Sequence, residues 1–549
     1  MRPLATLFTA SALACQPLAK GPVDDTPSTE TGGETGGETG TSTSTWCADQ
    51  GFGTSIAWND SGPYGTLRHE VAADFDFPQA DGSTWNFKAH WTGCETYIFV
   101  PDNIERDVTD GETIWSKDVD DLIAGSPRNT HYFFASVLKD EEAAANIATI
   151  TEQVERQLGR LEAEDAAWWS ERLHIAPVPL KDIDSWLTRT IRSGIGENGL
   201  GIDRNQRVRG VGSFADDSRS DNANSGWPFQ NNLAFAAHEA RYFNMESARQ
   251  DALDAADPTL VQLWAGETIA EYADMEVTLP DAAAMAEFDT FEIDIDMRCP
   301  DPDKLEPGNC GAWDYIAAFY VQDEAGAWVE LSRFITSYHR ETRWVADATP
   351  MMAHLLAGGP RTFRWSWAPS WNTQPTATNI QLRFSNQGKG VKPRAATLVA
   401  TGGSFNSTYN DARVPVEVPV SAAATKVQLW AVTTGHGANE GSCAEFCNHQ
   451  HQFTVDGEAH LQEFPTAQSL QGCIGEIERQ MVPNQSGTWW YGRGGWCPGE
   501  LVHPFDVDVT AAVGADGSAI VEYRGLYAGS TPPDNAGDIV MNAWLVVYE

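Results

Sequence analysis

The chain has 549 residues, 42% hydrophobic and 21% charged, a balance of folded domains with enough chain for several cores. Asp and Glu outnumber Lys and Arg by 77 to 36, a net charge of −41. That acidity excludes nucleic acid and anionic membrane surfaces as partners, because both are held by cationic patches; neutral ligands such as sugars stay compatible, and 21 Trp offer planes to stack on their rings.

Arg2 precedes an apolar run, 3–14, that ends in Ser11-Ala12-Leu13-Ala14-Cys15. A basic start, a short apolar stretch and small residues at a cut mark a secretory signal over 1–14. The small residues directly before Cys15 resemble a bacterial lipobox, whose cysteine carries the lipid. Residues 15–45, with Thr31-Gly32-Gly33-Glu34-Thr35-Gly36-Gly37-Glu38, hold almost nothing to bury and read as a flexible tether. No other stretch reaches the roughly 18 apolar residues of a membrane span. The expectation is an exported lipoprotein of the cell surface or outer membrane, attached through its lipid alone. Cys15 apart, eight of the nine cysteines remain: Cys47, Cys94, Cys299, Cys310, Cys443, Cys447, Cys473 and Cys497. An even number in an exported chain points to disulfides. Cys443-x-x-x-Cys447 followed by Cys473 also admits a zinc site.

Residues 46–275 have a mixed α/β character. Strands are predicted over 85–91 and 131–137. Ile147, Ile150, Val154, Leu158 and Leu161 recur at helical steps, which predicts a helix over 140–161 with Asp140 capping its start. A second helical pattern covers 232–244. Cys47 and Cys94 are expected to pair, and no function follows from this region's residues.

From about residue 276 the period changes. Phe291, Ile293, Ile295 and Met297 alternate with Glu292, Asp294, Asp296 and Arg298. Short strands recur at 316–322, 329–335, 362–367, 380–384, 426–432, 452–455, 519–523 and 543–548, separated by turns such as Asp456-Gly457. Many short strands without helical periods between them predict antiparallel β-sandwiches. The length suits two, over 276–395 and 396–549.

Four segments in this half carry candidate chemistry. A Cys299–Cys310 bridge would close a loop directly before Trp313-Asp314, fixing where that carboxylate points. Gly435-His436 follows a strand, where an imidazole can hold a substrate or move a proton. A bridge across Cys443-Ala444-Glu445-Phe446-Cys447 would present Glu445. Trp489-Trp490-Tyr491-Gly492-Arg493-Gly494-Gly495-Trp496-Cys497 mixes aromatic planes with one guanidinium, a common means of holding a sugar. The bland alternatives are a turn aspartate, a surface histidine, a solvated glutamate and a core Trp cluster beside a Cys473–Cys497 bridge.

In order and spacing these segments, with Leu331-Ser332-Arg333-Phe334-Ile335-Thr336-Ser337-Tyr338 and the closing Gly537 to Tyr548, resemble the bacterial peptide-N-glycosidase F family over about 276–549. The resemblance implies a mainly β fold of two jelly-roll sandwiches behind the α/β N-terminal region. It implies a hydrolase that cuts the amide between Asn and the first N-acetylglucosamine of an N-linked glycoprotein or glycopeptide, with no cofactor and no metal. The roles it implies are Asp314 and Glu445 as the catalytic carboxylates, from facing domains, and Trp313, His436, Arg493 and Trp496 around the sugar. A monomer is expected. Departures are visible: Trp365-Ser366-Trp367-Ala368-Pro369-Ser370-Trp371 holds no acid where the family has a further Glu, Tyr315 stands where the family has Arg, and Thr434 where it has Trp. Two other readings compete: a glycan-binding protein without hydrolysis, and a copper-dependent monooxygenase-like protein using His449-x-His451, whose rings would share one face of a strand.

Overall fold

The computed structural model of the chain describes residues 45–102, 114–192, 199–212, 233–437, 443–514 and 517–549. The expected signal, Cys15 and all but the last residue of the tether lie outside the described residues. No helix among the described residues is long and apolar enough to cross a membrane.

The C-terminal half is mainly β: two jelly-roll sandwiches, each of two four-stranded antiparallel sheets. In the first, one sheet runs Thr342–Asp347, Thr290–Arg298, Thr376–Ser385, Thr259–Ile269, and the other Trp328–Ile335, Ile316–Gln322, Gly358–Ser366, Tyr272–Asp281. Its outermost strand in the first sheet thus starts upstream of residue 276. The second sandwich pairs Pro393–Ser404, Asp538–Tyr548, Lys426–His436, Phe505–Asp508 with a sheet of Val416–Pro419, Ser518–Tyr527, His449–Val455, Glu458–Glu463.

Alternation decides which face is core. Phe291, Ile293 and Ile295 are wholly buried and Met297 nearly so; each such side chain contributes about 1.5–3 kcal/mol through the apolar area it removes from water. The alternation also predicts a wet face, and here the structure differs. Asp294 is buried too, taking two bonds from Arg343 (2.9 and 2.8 Å) and one from Gln381 (2.9 Å), while Gln250 of the N-terminal region bonds Arg343 (2.8 Å). At Asp294 the polar face is thus satisfied by neighbouring strands, while Glu292 and Asp296 are half-buried and Arg298 stays exposed.

The two sandwiches are clasped beside the candidate site. Arg333, on Trp328–Ile335, is 1% exposed, and its guanidinium bonds Glu330 twice at 2.8 Å, the Thr434 hydroxyl at 3.0 Å and the Val540 carbonyl at 2.6 Å. A buried cation needs this full set of acceptors to offset its desolvation, and the acceptors come from both halves.

The N-terminal region centres on a sheet in the order Leu173–Ile175, Thr130–Ser136, Thr96–Asp102, Leu200–Ile202, Val208–Arg209, with the first three strands parallel. The predicted strand over 85–91 is confined to Thr84–Asn86: the Asn86 side-chain oxygen accepts the Ala89 N–H (2.9 Å) and its carbonyl the His90 N–H (3.2 Å), which turns the chain. The helix predicted from 140 spans Asp140–Leu158, but Lys139 holds the capping position and Asp140 makes no side-chain capping bond. The helix predicted over 232–244 spans Phe235–Ala255.

This region shares a core with the C-terminal half. Phe235, Tyr242 and Phe243 pack in one cluster with Cys473, Ile477, Met481, Trp489, Trp490 and Cys497. Trp489 is wholly buried and meets the Phe235 ring edge-on at 5.8 Å. We expect Trp489→Ala to cost about 3–5 kcal/mol through the cavity it leaves, read as a lowered melting temperature of the full chain. A melting temperature within about one degree of the parent would mean that the shared core carries little weight.

Candidate functional site

Disulfides join Cys47 to Cys94, Cys299 to Cys310, Cys443 to Cys447 and Cys473 to Cys497, so Cys443, Cys447 and Cys473, which admitted a zinc site, are all taken up in bridges. Three of these bridges brace the loops that meet at the junction of the two sandwiches.

Asp314 follows the Cys299–Cys310 loop, whose exit is tied down by Ala312 N–H to Gln374 (2.7 Å) and His339 N–H to the Gly311 carbonyl (2.7 Å). Thr336, just after its strand, straddles the aspartate: its hydroxyl donates to the Trp313 carbonyl (2.6 Å) and accepts the Tyr315 N–H (2.7 Å). The peptide on each side of Asp314 is thereby held to one side chain. The carboxylate accepts the Tyr338 hydroxyl and lies 3.5 Å from the Arg493 guanidinium.

Glu445 comes from the other sandwich, on the single turn Cys443–Phe446. Its carboxylate accepts the Gly437 N–H (3.1 Å) and lies 3.7 Å from Arg493, and its carbonyl accepts the Gly494 N–H (2.6 Å). The turn approaches its neighbours too closely for any side chain there. A Cβ at Gly435 would stand 1.8 Å from the Ala444 carbonyl oxygen, and one at Gly494 2.4 Å from His449 Nε2. These glycines set how near Glu445 comes to Arg493.

Arg493 is the hub. Only 3% exposed, it also bonds the carbonyls of Thr488 (3.2 Å) and Tyr491 (2.9 Å) and lies over the Trp496 ring at 4.7 Å. One buried cation between two acids, 18% and 12% exposed at their side chains, brings carboxylates of different sandwiches to one guanidinium. Burial raises Asp314 above the usual aspartate range, against the pull of Arg493 and of the Tyr338 hydroxyl. Burial raises Glu445 as well; Arg493 opposes this and the charge of Asp314 adds to it. Two acids held at one site with raised affinity for protons are equipped to accept and return one.

His436 stacks on Trp496 (5.2 Å between ring centres) and shares a 2.8 Å hydrogen bond with the Thr434 hydroxyl that Arg333 also holds. Burial, with Arg333, His449 and Arg493 adding to it, pulls His436 down to about 3. The imidazole is therefore neutral at ordinary pH, which suits a polar wall and not a proton shuttle. Trp496 is buried and donates to the Gly435 carbonyl (2.7 Å), so it backs Arg493 and His436 and offers no open face. Trp313, in contrast, is 52% exposed beside Asp314.

Sequence reasoning assigned no role to three residues that belong here. Tyr338 stands in a quoted segment, but nothing in its spacing says that its hydroxyl meets Asp314. Thr336 is as silent. Trp371 is 79% exposed and meets Tyr315 edge-on at 6.0 Å, giving the rim beside Asp314 a second open indole. The stretch without the further Glu has Trp365 and Trp367 in the core of the first sandwich. His449 and His451 do share one face, as their spacing predicts, yet their ring nitrogens bond each other (2.7 Å) and His451 bonds the Tyr523 hydroxyl (2.7 Å). The paired rings are aimed at one another and at a phenol, not at a common open point as two metal ligands would be.

The family described as peptide-N-glycosidase F, C terminal, matches residues 404–546. The peptide-N(4)-(N-acetyl-beta-D-glucosaminyl)asparagine amidase F of Elizabethkingia miricola is 24% identical over 269 residues, covering 44% of this chain and 69% of the relative. Among solved structures, the glycosylasparaginase PNGase F of Flavobacterium meningosepticum is 18% identical with a TM-score of 0.40, over 53% of this chain and 95% of that one. PNGF-II is 14% identical with a TM-score of 0.40, over 55% and 67%.

Proposed function

We propose that this chain, whose C-terminal half is similar to the peptide-N-glycosidase F family of glycosylasparagine amidases, hydrolyses the amide between an asparagine side chain and the first N-acetylglucosamine of an N-linked glycan. The observation that carries the reading is the Arg493 guanidinium held against both Asp314 and Glu445. Amide hydrolysis needs a base for water, charge stabilisation at the oxygen and a proton for the departing nitrogen. Asp314, whose anion is supported by Arg493 and the Tyr338 hydroxyl, takes a proton from water. The hydroxide oxygen bonds to the amide carbon, the carbon–nitrogen bond breaks, and Glu445 supplies the proton with which the nitrogen leaves as a glycosylamine. Asn becomes Asp. The open indoles of Trp313 and Trp371 suit the apolar faces of the glycan, and His436 lines the pocket as a neutral donor or acceptor.

The setting proposed is that of an exported lipoprotein, monomeric and tethered by lipid at Cys15; four disulfides fit export. A second reading, glycan binding without hydrolysis, is favoured by the absence of an acid from the 365–371 stretch. Incubation with a denatured N-glycoprotein separates the two. Free glycan, together with conversion of the glycosylated Asn to Asp by mass spectrometry, is the expected result. Retention of the glycoprotein with no released glycan would replace the amidase reading by the binding one.

A further inference from the structure

The N-terminal region has no role in the chemistry described so far, yet one of its acids reaches the segment that carries Tyr338. After Trp328–Ile335 the chain runs as a strap, 336–341, that contains both Thr336 and Tyr338. Its far end is held by Arg340, which is 8% exposed. One guanidinium nitrogen of Arg340 bonds Glu239 (2.8 Å) and the Pro483 carbonyl (2.7 Å), another the Gly210 carbonyl (3.2 Å), and a third pairs with Glu306 (3.0 Å). Glu239 lies on the Phe235–Ala255 helix with no exposed surface, and it also accepts from Asn484 (2.9 Å). The loop after Asn484 grips Tyr338 in turn: Gln485 accepts the Tyr338 N–H (2.8 Å), and a Cβ at Gly487 would stand 2.6 Å from the phenol ring. Glu239 thus ties together the strap and the loop, the two segments that aim the Tyr338 hydroxyl at Asp314.

The same helix reaches the Arg493 loop. Phe235 and His238 pack against Trp489, and Arg241 makes a two-pronged pair with Glu478 (2.6 and 2.7 Å). Residues of the N-terminal region therefore brace both groups that attend the Asp314 carboxylate. A surface spacer would need neither a buried acid nor a buried arginine at the contact, since each is costly to desolvate.

We propose that the N-terminal region is a working part of the hydrolytic centre, with Glu239 as a positioning residue that acts through Arg340 and the 336–341 strap on the Tyr338–Asp314 hydrogen bond. The inference rests on the amidase reading. The groups that face Asp314 are Arg493, Tyr338 and, across the guanidinium, Glu445; of these Glu239 governs Tyr338. The Tyr338 hydroxyl lowers the proton affinity of Asp314, so loosening it raises that affinity and moves the acid side of the pH profile toward neutral.

The test uses the full chain and an N-glycopeptide, with kcat and KM measured against pH for the parent, Glu239→Gln, Tyr338→Phe and the double variant. Tyr338→Phe is expected to move the acid limb of kcat up by about one pH unit. Glu239→Gln should move it in the same direction by about half a unit and lower kcat about tenfold, with KM within about twofold. In the Tyr338→Phe background it should add nothing, because residues acting through one another are not additive. An unmoved acid limb in Glu239→Gln, or a shift that adds to that of Tyr338→Phe, would overturn the proposal. Should Glu239→Gln fail to fold, Arg340→Lys keeps a cation beside Glu239 and Glu306 but drops the bonds to Gly210 and Pro483, and the same shift is expected of it. If the parent releases no glycan, the amidase reading fails separately. The coupling is then read from the titration of Asp314 in aspartate-labelled protein by carbon NMR, assigned with Asp314→Asn; the same upward shift in Glu239→Gln sustains the positioning role, and its absence ends it.

Discussion

Asp314→Asn should abolish most glycan release while leaving the protein at least as stable as its parent. The substitution keeps the shape of the side chain and removes its ability to take a proton from water, so kcat is expected to fall by roughly 10²–10⁴-fold. The stability side follows from the sign of the shift. Burial raises the Asp314 carboxyl above its ordinary value. An acid raised in the folded state contributes stability below its unfolded value, and that contribution is lost as pH rises through the folded value. At neutral pH the ionised aspartate is therefore a cost to folding, which a neutral asparagine does not carry. Melting curves of the two proteins should coincide under acid conditions, where both side chains are uncharged, and the variant should melt at the same or a higher temperature at pH 7. A variant that keeps near-parental release rules out Asp314 as the base. A variant that loses activity and also melts well below the parent shows instead that Asp314 holds the loop together.

The strands of the C-terminal half were legible because burial on one face writes itself as a period of two. The alternation over 291–298 corresponds to Thr290–Arg298, and the turn at Asp456-Gly457 separates His449–Val455 from Glu458–Glu463. What alternation cannot tell is which wet face another domain covers. Asp294 reads as solvent-facing, yet Arg343 and Gln381 of the flanking strands satisfy it, and Gln250 of the N-terminal region in turn holds Arg343. The Cys299–Cys310 and Cys443–Cys447 pairs were legible as local spacings, and with them the loops that hold Asp314 and Glu445. The donors to those acids were not. Tyr338 reaches Asp314 from 24 residues away and Arg340 meets Glu239 across 101, and no local pattern encodes a contact over such separations. The region 46–275 resisted a functional reading for the same reason: its core is completed by Trp489 and Trp490, residues that look like a sugar platform when read alone.

Arg493 is where the two halves of the site depend on each other, and Arg493→Lys is the sharper test of that dependence. Lysine keeps one positive charge but presents it as a point on a flexible stem, so it cannot span Asp314, Glu445 and the carbonyls of Thr488 and Tyr491 at once. Arg493 lowers the proton affinity of both acids, against burial. With that support weakened, both carboxyls move further up, and the anionic form of Asp314 is reached only at higher pH. The acid limb of the rate profile should therefore shift toward the alkaline side by about one unit, with kcat at its optimum lowered by roughly 10²–10³-fold for the lost charge stabilisation. Because Arg493 is 3% exposed and its replacement leaves two partly buried acids without their fork, a loss of about 2 kcal/mol in stability is also expected, and it should shrink as pH falls and those acids take up protons. Thermal melts at pH 5 and pH 8, set beside the rate profile, check both halves of the expectation. If the acid limb stays in place while kcat falls, Arg493 serves the substrate and not the carboxylates, and the shared-guanidinium account of this site is wrong.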